Sequence, residues 1–124
     1  MTERRDYRLP RHFVTTMTTF GRFETVQWDR DALRRYPDQG LAAQWQHVLI
    51  VLTRAALLYR EMTQEELARE MGRETQYVRD RFGGQRWLTL VDAAALERVL
   101  GVHLVRPSSE IEIPVEWTSE PPPG

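Results

Sequence analysis

The chain has 124 residues, 41% of them hydrophobic and 28% charged, with a formal net charge of −1, which suits one domain with its own core and leaves too little for two. With zero cysteines it has neither disulfides nor a thiolate metal site. Its richest apolar run, residues 48–59, is twelve long and includes Thr53 and Arg54, well short of the roughly 18 apolar residues of a membrane span, and no secretory apolar stretch opens the chain; a cytoplasmic protein with no membrane partner is expected.

Taken in chain order, residues 1–12 carry four Arg and Pro10 and read as a mobile arm. Residues 13–28 are rich in Thr, Val and aromatics around Gly21 and Arg22, which favours strand and predicts a hairpin turning at residues 20–23. Residues 29–36 read as a short helix capped by Asp29 and stopped by Pro37. A long helix is expected from Gly40 to about Arg60, its apolar stripe formed by Leu41, Trp45, Val48 with Leu49, Leu52, Ala55 with Ala56, and Tyr59.

The most informative stretch follows, at residues 63–84. Thr63 and Glu66 form a capping box, with Met62 and Leu67 placed as a hydrophobic staple, so a helix starts there. Leu67, Ala68 and Met71 share one stripe, and Gly72 can take the left-handed conformation that ends a helix. A second helix from Thr75 to Phe82 turns Val78 and Phe82 back toward that stripe. Two short helices joined by a tight glycine turn are the physical description of a helix-turn-helix. A further helix is expected over residues 89–100, opened by Thr89 and Asp92 and stopped by Gly101. Residues 110–117 then alternate strictly, with Ile111, Ile113, Val115 and Trp117 on one side and Glu110, Glu112, Pro114 and Glu116 on the other, the pattern of a half-buried strand at an edge. Residues 119–124 read as a disordered tail.

At these residues the chain resembles the Cro/C1-type (XRE) helix-turn-helix family, to which the lambda-type phage repressors belong. The resemblance covers residues 49–102. It is carried by Thr-Gln-Glu-Glu-Leu-Ala before the turn, Met-Gly at it, Tyr-Val in the second helix, Phe-Gly-Gly after it, and the closing Leu-Gly-Val. The chain departs from the family pattern at Arg73 and Glu74, where an apolar residue and a small hydroxyl cap are usual, and at Arg81, often apolar. The resemblance implies a mostly α, lambda-repressor-like bundle, to which this chain adds a small β element from the N-terminal hairpin and the C-terminal strand; the DNA-binding domain would span residues 13–106 and the strand 107–118. It also implies a sequence-specific regulator of double-stranded DNA, a repressor, acting as a homodimer. All 17 basic residues are Arg, with no Lys or Asn anywhere, although Lys is ordinarily common. Both missing residues have A-rich codons, which suits a GC-rich genome such as that of an actinobacterium or its phages, and a phage or mobile-element repressor.

In the family the second helix enters the major groove. With Val78 and Phe82 facing inward, Thr75, Gln76 and Arg79 face outward, with Arg73 and Glu74 at the entry; Arg bonds guanine bidentately and Gln bonds adenine, so Arg79 and Gln76 lead for base contact. Gln64 matches the family glutamine that reaches a phosphate, and Arg86, after Gly84, is placed to meet the backbone. The plainer reading of Arg73, Arg79 and Arg81 is a solvated face interleaved with Glu74 and Asp80. The negative net charge runs against a nucleic-acid footprint, but four Glu and no base fall from residue 107 onward, leaving the helix-turn-helix mildly positive. No enzyme is expected: His12, His47 and His103 are scattered, no metal or cofactor set is spaced for ligation, and no glycine-rich phosphate loop opens a helix. The alternative function is an antitoxin or protein-interaction adaptor using the same fold, with a protein partner bound through the β segments.

Overall fold

The computed structural model describes residues 9–101; the alternating segment at 110–117 and the tail lie outside them. Five α-helices carry the described chain: α1 (Arg30–Arg35), α2 (Pro37–Tyr59), α3 (Gln64–Met71), α4 (Thr75–Phe82) and α5 (Leu90–Leu100). The protein is all-α in class.

Helix boundaries follow the caps. Asp29 Oδ1 accepts from the amides of Asp31 and Ala32, each at 3.1 Å, starting α1. Pro37 ends α1 and opens α2 as its first residue, three residues before the expected start at Gly40, because its fixed φ and missing N–H suit that position. Both capping boxes close, Thr63 with Glu66 on α3 and Thr89 with Asp92 on α5. Gly72 and Gly101 end these helices at φ values of 70° and 66°. The main core joins Ile50 and Leu57 of α2, Leu67 and Ala68 of α3, Val78 and Phe82 of α4, and Leu96 and Leu100 of α5. A smaller cluster around Phe13, Ala32 and Ala43 packs α1 and the N-terminal segment onto α2.

Two expectations are corrected. No strand forms among the described residues. Where a hairpin was expected, 3₁₀ turns occupy Pro10–Phe13 and Met17–Thr19. The ends of the segment do pair as a hairpin's would, through one antiparallel bridge between Val14 and Trp28 and the bonds Thr15 N to Gln27 O (2.9 Å) and Asp29 N to Phe13 O (2.8 Å). Its middle instead buckles onto α2: Phe20 is buried, Gly21 N donates to His47 Nδ1 at 2.8 Å, and Gly21 O accepts from Arg54 Nε at 2.8 Å. These side-chain bonds replace the ladder a strand would have needed. The packed chain also begins inside the expected arm of residues 1–12, since Pro10 and His12 are buried together with Phe13.

The second correction concerns α2. Its buried face is Ala43, Gln46, His47, Leu49, Ile50, Thr53 and Leu57, so of the expected stripe Leu49 is buried while Leu41, Trp45, Val48, Leu52 and Tyr59 are exposed. Both sets keep the 3.6-residue period, so periodicity could not choose between them. The choice goes to the face whose polar members have partners. Gln46 Nε2 donates to the carbonyls of Arg81 (2.9 Å) and Arg86 (3.0 Å), and its Oε1 accepts from Leu88 N at 2.7 Å. Thr53 Oγ1 bonds Leu49 O at 2.7 Å. Over its 23 residues α2 is also long and apolar enough by composition to cross a membrane, a reading that a twelve-residue window misses.

Candidate nucleic-acid interface

The turn between α3 and α4 is closed by backbone bonds alone. Arg73 N reaches Ala68 O at 2.8 Å and Gly72 N reaches Arg69 O at 3.1 Å, the double bond of a Schellman ending. A Cβ on Gly72 would meet nothing within 4 Å, but its φ of 70° is one L side chains rarely adopt, so the glycine is there for its backbone. Glu74 caps α4 without a side-chain bond. The inward placement of Val78 and Phe82, each 2% exposed, fixes which residues of α4 point out.

Gln76 and Arg79 are outward and exposed, and with Gln64 from the start of α3 they line one open cleft of about 440 Å³. Arg11, Arg22 and Arg54 line its other sides, over a floor that includes Phe20 and Phe82, and no carboxylate contributes to the lining. Arg54 reaches this position because its guanidinium lies 5.1 Å from the centre of the Phe82 ring while its Nε holds Gly21 O. Burial first, and then the like charge of Arg22, push the Arg54 pKa below its ordinary value. Cations held together at this cost favour an anion between them. Gln76 Nε2 donates to Asp80 Oδ1 at 2.8 Å, which orients the amide along the outer face of α4.

The remaining expected residues are not gathered here. Arg73 stacks over Tyr77 at 4.6 Å and borders a separate depression with Val91 and Arg98 of α5. Thr75 is half-buried at the start of α4, and Arg86, exposed in the following loop, is tied through its carbonyl to Gln46; neither lines the cleft. Arg81 is a packing residue. It lies 3.4 Å over the Tyr77 ring with Nε 3.7 Å from Asp92 Oδ2. Asp92 is buried and also accepts from Tyr77 Oη at 2.6 Å and Thr89 N at 3.0 Å. Burial first, and then Asp92, raise the Tyr77 pKa, so Tyr77 stays a neutral donor holding α4 to α5.

Sequence reasoning missed Arg11, Arg22 and Arg54. Their approach depends on the buckled segment before α1, and in a chain whose only cation is Arg no single Arg stands out. The one available signal was Gly21, whose Cβ would run into the Phe82 carbonyl and lie 2.9 Å from Ile50 Cγ2, so that only glycine lets this segment reach the end of α4. Among known proteins no family model matches the chain, and neither a curated protein nor a solved structure matches it.

Proposed function

We propose that the protein is a sequence-specific double-stranded DNA-binding regulator of the Cro/C1 type, lambda-repressor-like in its α2 to α5 core, and that it represses by occupying its site. The observation that carries this reading is the meeting of Gln64, Gln76 and Arg79 with Arg11, Arg22 and Arg54 around one cleft free of carboxylates. In this reading Arg79 and Gln76 contact base edges, where a good bidentate pair discriminates by about 1–3 kcal/mol. Arg22 and Arg54 neutralise phosphates and release counterions. The net charge of −1 makes binding by one copy weak away from its site, so a homodimer with two reading helices on a pseudo-palindrome is part of the proposal.

Selection from a pool of randomised duplexes tests it. One enriched sequence is expected. Arg79→Ala should then lose about 1–3 kcal/mol and relax preference at a single base pair, whereas Arg22→Ala should weaken binding to all sequences and reduce the salt slope by about 0.9. A pool with no enriched duplex, or two variants that bind as wild type does, rejects the reading. The adaptor alternative draws on the exposed apolar face of α2; a co-purifying protein in fixed ratio, with no duplex enriched, would favour it.

A further inference from the structure

Trp45, Val48 and Leu52 of α2 are 66%, 55% and 46% exposed, and Leu90 at the start of α5 is 85% exposed. With Leu88 and Ala93 the first three frame an apolar groove of about 590 Å³ between the two helices. Contiguous apolar surface of this kind is seldom left bare. The same chain carries an apolar row in search of a surface, Ile111, Ile113, Val115 and Trp117, and the N-terminal hairpin that would have offered it a sheet edge does not form. We propose that residues 111–117 of this chain seat in the groove between α2 and the start of α5.

The lengths agree. The amide end of the segment's tether is placed by α5, since a Cβ on Gly101 would lie 3.1 Å from the Arg60 guanidinium and Arg60 Nη1 bonds Val99 O at 3.5 Å. Val48 lies twelve residues before Arg60, about 18 Å back along α2 at helical rise. Residues 102–110 can span about 30 Å when extended, so the tether reaches. From Ile111 to Trp117 an extended segment covers about 20 Å, and Leu41 to Leu52 on α2 covers about 16 Å. Glu110, Glu112, Pro114 and Glu116 fall on the opposite side of the alternation and stay in water, where Pro114 has no amide to satisfy. This inference stands whether or not the chain binds DNA.

A chain without cysteine allows a direct test in the full-length protein. Val48→Cys is combined either with Ile113→Cys or, as the register control, with Glu112→Cys. The two pairs have nearly equal tethers and differ in which side of the segment bears the thiol. Under mild oxidation the 48/113 pair should form an intramolecular disulfide at least about tenfold faster than the 48/112 pair, at a rate independent of protein concentration. Equal rates for the two pairs overturn the proposal. A disulfide that appears only between chains also overturns it, and assigns the groove to a second copy instead. Circular dichroism of each reduced variant shows whether it is folded; should Val48→Cys unfold the protein, Leu52→Cys replaces it under the same comparison.

Discussion

His47 shows how one buried side chain shapes a surface it does not touch. Its Nδ1 accepts from Gly21, its Nε2 is buried without a hydrogen-bond partner, and Phe20 and Trp28 stand edge-on to its ring, each at 5.5 Å. Burial lowers its pKa from the ordinary 6.5, with the backbone of Glu24 and Phe23 acting in the opposite direction. The native state therefore holds the neutral ring while the unfolded chain takes up a proton. The stability this gives is complete above pH 6.5 and declines as pH falls from there toward the lower folded-state pKa. Thermal melts from pH 7.5 to 5 should show that decline, and His47→Gln should flatten it; a parallel decline in the variant would place the titrating group elsewhere. In the folded protein protonation comes only at the lower folded-state pKa, where it removes the acceptor for Gly21, so weakening of the Arg22 and Arg54 side of the cleft is expected at the acid end of that decline.

At the scale of elements, caps were legible and the buried face of α2 was not. Thr63 with Glu66, Thr89 with Asp92, Asp29 and Pro37 each act through neighbours within a few residues, so the chain itself announces them. For α3 and α4 the inward face was legible too, because Leu67, Ala68, Val78 and Phe82 are apolar among charged neighbours. On α2 apolar residues lie all round, and the buried side was decided by partners 26 to 42 residues away, Gly21 for His47 and Leu88 for Gln46. The Thr-rich segment before α1 was misread for a similar reason, since its local strand propensity lost to bonds from α2. Of the residues lining the cleft, Gln76 and Arg79 were expected to face outward from helix phase and Gln64 was singled out by the family resemblance, whereas the arginines opposite them needed the fold. Two substitutions separate these effects. Thr63→Ala removes a cap and should cost about 1 kcal/mol in denaturant melts; Phe82→Ala opens the core and should cost about 3–5 kcal/mol. Phe82→Ala melting like Thr63→Ala would mean that the ring contributes little beyond seating Arg54.

On the scale of the whole molecule, charge is arranged more than it is accumulated. Four arginines around one cleft coexist with a net charge of −1, so distant attraction to a polyanion is small while local attraction is concentrated. In the proposed duplex-binding reading, association should then be slower than for a basic protein and should depend on salt mainly through the few phosphates that would be engaged. Stopped-flow binding at several salt concentrations checks this: a steep salt dependence of the association rate would show long-range steering that this distribution does not provide.

Arg54 belongs at once to the cleft and to the cover of the core, since it lies on Phe82 and holds the loop at Gly21. An anion in the cleft would relieve the repulsion of Arg54 from Arg22 and favour that cover, so local opening near Phe82 is expected to be easier when the cleft is vacant. Proteases that cut transiently opened chains should remove vacant copies before occupied ones. Limited proteolysis with and without a bound duplex checks the point, and equal cleavage rates would refute it. A chain built this way would carry its own clock, its lifetime in the cell set by how much of it is at work.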